Sequence, residues 1–121
     1  MKSINWRVVI NSAKRRNANK VQQTLFKELS HCEVTSFEIY WKDPKFHMLE
    51  FYQLLNPRDE KDILVQVMEE IKWVSNHWQV DIPEHFGQDE QAISGMTNSK
   101  INVTGVTWAS FTIEETTEME A

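Results

Sequence analysis

The order of hydrophobic patterns along the chain predicts an α+β fold, a ferredoxin-like β-α-β-β-α-β sandwich. In it, two helices cover one face of a four-stranded antiparallel sheet. Stretches in which apolar residues recur at every second position alternate with stretches of helical period. Each predicted strand has one apolar side and one mixed side, which is typical of a sheet with one open face. A length of 121 residues suits a single domain.

The first strand is predicted over residues 6–10, and a helix follows that ends near Ser30. Asn17 or Asn19 is expected to cap this helix, because either side-chain oxygen can accept amide hydrogens of the first turn. The apolar residues of both elements recur with the period of the element. The strand is predicted to bury Ile4, Trp6, Val8 and Ile10, and the helix Ala18, Val21, Leu25 and Leu29.

A β-hairpin is predicted next, with strands over Val34–Lys42 and Phe46–Leu55. The dipeptide Asp43-Pro44 predicts the turn, since proline fixes φ and aspartate can bond its own backbone. Alternation assigns the side chains to two faces. One face is expected to carry Phe37, Ile39, Trp41, Leu49, Phe51 and Leu55, and the other Glu38, Tyr40, Lys42, Glu50 and Tyr52.

Asn56-Pro57 predicts the start of a second helix, which should end before Pro83. Its buried stripe is expected to hold Ile63, Leu64, Val67, Met68, Ile71, Val74, Ser75 and Trp78. Residues 81–100 predict a long polar loop. Ile101–Ile113 predicts the last strand, bending at Gly105, so the domain spans residues 1–113 and an acidic tail spans 114–121.

Charge is distributed unevenly along the chain. The net charge is −5, yet residues 1–20 hold six basic residues and no acid. An acidic protein favours a basic protein partner and disfavours nucleic acid and anionic membranes. The single cysteine, Cys32, excludes an intrachain disulfide and suggests a reducing compartment. With no signal peptide and no long apolar run, a cytoplasmic location is expected.

Catalytic signatures are missing from the sequence. It contains no GxSxG, GxxxxGK[ST], GxGxxG, HExxH or CxxC motif. No two of the four histidines stand at i,i+4 spacing on one helix. We therefore expect a protein that is not an enzyme and that uses no cofactor and no metal.

The aromatic residues give the functional hypothesis. Trp6, Trp41 and Trp78 fall on apolar stripes and are expected in the core, whereas Trp73 falls opposite the stripe of the second helix. Trp73 then either anchors a partner or lies under the loop 81–100. Tyr40, Tyr52 and Trp108 are predicted on the open sheet face. The predicted partner-binding residues are Trp73, Glu70, Glu69, His77, Tyr40, Tyr52, Glu38 and Glu50.

The chain resembles one class of protein in its small size, its exposed aromatics and its acidic surface. The aromatics are Trp73, Tyr40 and Tyr52, and the acids include Glu38, Glu50, Glu69, Glu70 and the Glu114–Glu120 tail. It is the immunity proteins of bacterial toxin systems, including contact-dependent growth inhibition. The resemblance is one of general character and transfers no individual binding residue. It implies binding to a basic toxin domain, often a nuclease, whose phosphate sites the carboxylates would occupy.

Two other functions are compatible with the sequence. One is a dimeric ferredoxin-like small-molecule sensor or small enzyme, with a pocket between the sheet and the long loop. The other is a structural subunit of a homodimer, since an aromatic sheet face also suits a second copy of the chain.

Overall fold

The computed structural model describes residues 2–29, 31–55, 60–81 and 93–115. These residues form two helices and six strands. In chain order the elements are β1 (Lys2–Ile10), α1 (Arg15–Glu28), β2 (Cys32–Ile39), β3 (His47–Leu54), α2 (Glu60–Ile71), β4 (Gln79–Asp81), β5 (Ser94–Thr97) and β6 (Val106–Glu115). No helix within the described ranges is long and apolar enough to cross a membrane.

The strands form one antiparallel sheet in the order β2-β3-β1-β6-β5-β4. The α+β class is confirmed, but the prediction of four strands is wrong, because β4 and β5 extend the sheet beyond β6. β5 lies within the segment that predicted a loop over 81–100, whereas β4 starts at Gln79, in the stretch predicted as the end of the second helix. The part of that segment from 82 to 92 lies outside the described residues.

The core forms on the face that carries the even-numbered residues of β1. Trp6 lies opposite Phe51 of β3 and Phe111 of β6, and its ring stacks on Phe51 with centroids 5.8 Å apart. The predicted burial of this face is confirmed, since every member is at most 1% exposed. The members are Ile4, Trp6, Val8 and Ile10.

Helix α1 packs on this face through its apolar stripe. Ala18, Leu25 and Leu29 are buried and Val21 is partly buried, as the helical period predicts. The predicted caps are wrong: the N-cap residue is Lys14, with no side-chain cap hydrogen bond. The helix begins at Arg15, so Asn17 and Asn19 lie inside it and cannot be its N-cap.

Helix α2 also packs on the core face, through Ile63, Val67 and Ile71. It ends at Ile71, well before the predicted end near Pro83. The predicted start at Asn56-Pro57 lies outside the described residues. Trp78 therefore reaches the core from beyond the helix: its indole donates to the Ile71 carbonyl at 3.0 Å, and its ring packs edge-on against Trp6 and Phe111.

A buried hydroxyl cluster explains why α2 stops. Ser75 Oγ lies 2.8 Å from Thr97 Oγ1, and the backbone N–H of His77 donates to Ser75 Oγ at 3.0 Å. The backbone N–H of Asn102 donates to the Val74 carbonyl at 2.7 Å. These bonds join the segment after α2 to the chain that follows β5, so its backbone groups pair across the fold instead of continuing the helix.

Two glycines fit the backbone to its neighbours. A Cβ on Gly95 would stand 2.5 Å from Phe111 Cε1, so this β5 position leaves room for a core ring. Gly105 has φ +96°, which non-glycine residues rarely adopt, and it forms the turn before β6. The predicted strand over Ile101–Ile113 does not continue through Gly105: the chain turns there, and β6 starts at Val106 and runs past the predicted boundary to Glu115. Residues 116–121 of the predicted tail lie outside the described residues.

The predicted hairpin is confirmed, since β2 and β3 pair antiparallel. The strands are shorter at the turn than predicted, because the chain already turns at Tyr40–Asp43. Trp41 therefore leaves the strand, and its predicted place in the core is wrong: the residue is 82% exposed. Tyr40 likewise lies in the turn and not on a strand face.

Truncating two tryptophans should separate these environments. Trp78→Ala removes a ring that contacts Trp6 and Phe111, so we expect a loss of about 3 kcal/mol in the free energy of unfolding. Trp41→Ala should change that free energy by less than about 0.5 kcal/mol, because the ring is exposed. Urea denaturation followed by circular dichroism measures both, and equal losses would contradict the assigned environments.

Candidate protein-interaction surface

The second face of the sheet carries the odd-numbered residues of β1 and the residues paired with them, and we call it the open face. The buried residues of α1 and α2 belong to the core cluster on the other face, so neither described helix covers the open face. Its strand residues are mostly half-buried or exposed, which is the condition for contact with another molecule.

An apolar row crosses the open face at the end nearest the β2–β3 turn. Val9 lies between Met48 of β3 and Trp108 of β6. Val9 is only 7% exposed because its two neighbours flank it, whereas Met48 and Trp108 are each half-buried. This row presents a sulfur-containing and an aromatic side chain to solvent, the residue types that anchor protein interfaces.

Polar pairs occupy the next two rows. Arg7 Nε donates to Glu50 Oε2 at 2.9 Å, forming an exposed ion pair between β1 and β3. Asn5 Nδ2 donates to Glu114 Oε1 at 2.8 Å and to Ser3 Oγ at 3.2 Å. These bonds hold both carboxylates in fixed positions on the face. Because the carboxylates are already ordered, less conformational entropy is lost when a partner's cation binds to them.

The charge of the open face is strongly negative. Along the described strands this face carries five carboxylates and one cation, and the cation, Arg7, is already paired with Glu50. The carboxylates belong to Glu33, Glu38, Glu50, Asp81 and Glu114. Such a surface attracts a basic partner and repels phosphate.

The predicted site residues fall into separate places. Glu38, Glu50 and Tyr52 lie together on the open face, where Tyr52 pairs with Asn5 and with Glu33. Tyr40 stands apart in the hairpin turn, with its ring 6.1 Å from that of Trp41.

Glu69, Glu70 and His77 lie at the end of α2 or shortly after it, away from the open face. Gln53 Nε2, on the core side of β3, donates to Glu70 Oε1 at 2.6 Å, and Glu69 is exposed beside it. His77 is exposed, and its carbonyl accepts the Thr97 hydroxyl at 2.5 Å. The structure thus separates an open-face group from a group near the end of α2, and Tyr40 belongs to neither.

Trp73 belongs to neither group. It is 46% exposed and lines a groove of about 430 Å³ between α1 and the segment at 102–103. Lys72 and Asn76 line the same groove, and the Asn102 side chain bonds both, reaching the Lys72 carbonyl and Asn76 Oδ1. The described members of the predicted loop 81–100 do not line this groove.

Sequence reasoning missed several members of the open face. Met48 and Met96 share it with Tyr52 and Trp108, and Glu33 lies directly opposite Tyr52. Alternation could have found Met48, because it stands at even spacing from Glu50 and Tyr52 in the sequence. Nothing in the sequence pattern indicated Met96, since β5 itself was not predicted.

Metal and thiol chemistry receive no support from the described residues. Within residues 2–29, 31–55, 60–81 and 93–115, no group of three His, Cys, Asp or Glu residues could hold a metal ion. Burial, together with the nearby Glu70 and Glu33 carboxylates, raises the pKa of the Cys32 thiol to about 12. A thiol held protonated is a poor nucleophile.

Cys32 therefore makes a prediction about reactivity. At pH 8 the folded protein should react with iodoacetamide at least a hundredfold more slowly than the urea-unfolded chain, because only about one thiol in ten thousand is ionised. Mass spectrometry follows the alkylation. Equal rates in the two states would contradict the burial.

The same pKa predicts how stability depends on pH. A raised pKa in the folded state means that the thiol's contribution is present in full below about pH 8.5, the ordinary pKa. It is lost as the pH rises toward 12. The difference in unfolding free energy between the natural chain and Cys32→Ala should thus shrink between about pH 8.5 and about pH 10.5. A difference that stays constant, measured by urea denaturation, would contradict it.

No protein-family model, no curated protein and no solved structure matches the chain. The geometry and charge of the described surfaces carry the functional proposal.

Proposed function

We propose that the protein binds a basic protein partner through its open face, and that it acts as an immunity protein that neutralises a bacterial toxin. One observation carries the proposal. A sheet face that no described helix covers combines aromatic side chains with five carboxylates and one paired cation. The toxin class that fits is a nuclease domain, because a surface that binds nucleic acid is itself basic.

The size of the open face is adequate for a stable complex. Strand residues occupy about 16 Å² each in the plane of a sheet, from a rise of about 3.3 Å and a strand spacing of about 4.8 Å. The six strands therefore present roughly 650 Å². A standard interface buries about 800 Å² on each partner, so the face and its rim match one partner domain.

In this proposal, the residues that anchor the partner differ from those that speed its association. Trp108 and Tyr52 offer rigid rings that can fill pockets on the partner, and each such anchor contributes about 2 kcal/mol or more. The exposed carboxylates Glu33 and Glu114 raise the rate of encounter with a basic surface. In a complex with a nuclease, the carboxylates would compete with substrate phosphates for the same arginines and lysines.

A second candidate function is a small-molecule sensor or small enzyme. A cavity of about 360 Å³ lies between β4, β5 and β6, within the range of ligand sites. Asp81 is the ionisable group among its lining residues, and it is exposed. Enzyme sites bring several polar or titratable groups together, so this cavity is better suited to a neutral ligand than to catalysis.

We also propose that the four strands predicted from the sequence form a ferredoxin-like unit within the larger sheet. They are neighbours in the order β2-β3-β1-β6, and the buried residues of both helices meet in one core cluster. In this proposal β5 and β4 are an addition at the β6 edge.

Growth protection tests the function. A basic nuclease domain that co-purifies with this protein from its native host is expressed in a bacterial host, with and without the immunity candidate. We expect growth arrest that co-expression relieves. Relief should be lost in the Tyr52→Ala, Trp108→Ala double variant and kept in Trp73→Ala, a matched exposed tryptophan off the open face. If Trp73→Ala abolishes relief and the double variant does not, the interface lies at the groove that Trp73 lines instead.

Salt dependence tests the electrostatic part separately. The association rate, measured by stopped-flow fluorescence, should fall as salt rises past about 0.15 M, where the screening length is about 8 Å. The Glu33→Gln, Glu114→Gln variant should show a lower rate and a weaker dependence on salt. A rate that is the same at low and high salt would contradict an acidic interface.

A further inference from the structure

A cationic, aromatic surface stands at one end of the sheet, apart from the open face. Trp41, Lys42 and Lys45 lie on the β2–β3 turn, and Lys14, Arg15 and Arg16 lie at the start of α1. All six residues are exposed. We call them the hairpin-tip surface.

Contacts between the two segments place them at the same end of the molecule. The Arg15 guanidinium lies over the Phe37 ring, 4.0 Å from its centroid, and also donates to the Phe37 carbonyl. The ring of His47, the residue that follows the hairpin turn, bonds the Ser12 carbonyl at 2.8 Å. The start of α1 is therefore fixed beside the hairpin.

The exposure of Trp41 calls for an explanation that packing within the chain does not supply. Trp41 is 82% exposed, and Ile39, two residues before it, is 47% exposed. Large apolar side chains grouped at one exposed point mark contact sites. The turn itself is ordered by backbone bonds, including Tyr40 N–H to the Phe46 carbonyl at 2.8 Å, so the indole is held outward on a rigid support.

The charge at this end is opposite to that of the open face. Five cations stand against two described carboxylates, Glu38 and Asp43, and Asp43 Oδ1 already accepts the Lys45 backbone N–H. Glu50 lies three strand residues from His47, about 10 Å away, and is already paired with Arg7. Glu33 lies six strand residues from Ile39, about 20 Å away. That exceeds the screening length of about 8 Å at physiological salt, so the net negative charge of the chain does not govern this end.

We propose that the hairpin-tip surface docks the protein on a membrane that contains anionic lipids. Tryptophan favours the interface between headgroups and acyl chains. Clustered lysine and arginine residues bind anionic headgroups, each contributing about a factor of five to the affinity. A surface of one projecting indole among five cations supplies both contributions. The expectation of no membrane contact rests on the acidic surface of the rest of the chain, whereas this end of the molecule is cationic.

A single-stranded nucleic acid is the competing occupant, and the geometry disfavours it. The Lys42 ammonium lies 5.1 Å from the Trp41 ring centroid and covers one face of the indole, on which a base would stack. A lipid headgroup region needs no free ring face, since the indole enters it from the tip and the lysine extends to the phosphates.

Vesicle sedimentation of the full chain tests the proposal. The probes are vesicles of phosphatidylcholine alone and vesicles of three parts phosphatidylcholine to one part phosphatidylglycerol. We expect binding to the anionic vesicles at about 0.1 M salt and its loss at about 1 M, where the screening length is about 3 Å. No binding to anionic vesicles at the lower salt would overturn the proposal.

Variants locate the surface. Trp41→Ala should lower the partition coefficient about tenfold, because one indole then stays out of the interface. Lys42→Gln with Lys45→Gln should lower it about 25-fold. The matched controls, Trp73→Ala and Lys27→Gln with Lys72→Gln, remove the same groups from other exposed positions and should leave binding unchanged. Equal effects of test and control variants would overturn the assignment to the hairpin tip.

A titration with an oligonucleotide distinguishes the membrane from a single-stranded nucleic acid as the ligand of the hairpin-tip surface. A fluorescent single-stranded oligonucleotide is titrated with the same proteins. Binding that depends on Trp41, without vesicle binding, would overturn the membrane proposal in favour of nucleic acid. The membrane proposal is independent of the open face, so the Tyr52→Ala, Trp108→Ala variant should bind vesicles normally.

Discussion

The alternation of side chains along β1 is the constraint on which the rest of the structure depends. A strand shows successive side chains to opposite faces, so β1 can bury only every second residue under the helices. Trp6 takes the central buried position and contacts Phe51, Phe111 and Trp78. Once that face is committed to the core, Arg7 and its odd-numbered neighbours must face the other way, and no described helix covers them. Core and candidate interface are thus two sides of one strand.

Charge follows the same division. Polar groups on the core face form hydrogen bonds with one another; for example, the Trp6 indole N–H donates to Gln53 Oε1 at 2.7 Å. The open face carries its carboxylates toward solvent. Three basic residues, Lys14, Arg15 and Arg16, lie at the hairpin end because α1 starts there. A net charge of −5 therefore describes neither surface. One end is cationic and the sheet face is anionic, so our proposals assign a different partner to each.

Periodic segments were predictable from the sequence, and segments ordered by long-range contacts were not. β1, the hairpin and the stripe of α1 follow from period alone, because each buries one face. The end of α2 was hidden, since Val74 and Trp78 keep helical spacing while the buried Ser75 hydroxyl pairs with Thr97 of β5. β5 was hidden because Gly95 has no side chain to form an apolar pattern, and its role is to admit the Phe111 ring.

The candidate site was predictable only where strands were. Glu38, Glu50 and Tyr52 were assigned to the open face because they alternate with core residues, whereas Trp41 was misassigned because the turn begins before Asp43-Pro44. Trp73 was assigned to a helix face that ends at Ile71, so its groove could not be foreseen. Distant segments that meet in space leave no local pattern for sequence reasoning to use.

Radical footprinting tests the two-sided sheet most directly. Hydroxyl radicals oxidise accessible methionine, tyrosine and tryptophan side chains, and mass spectrometry locates the products. In the isolated protein we expect Met48, Tyr52 and Trp108 to be oxidised while Trp6 stays protected, and the basic partner should then protect the first three but not Trp73. Protection of Met48, Tyr52 and Trp108 in the isolated chain, equal to that of Trp6, would contradict an open face.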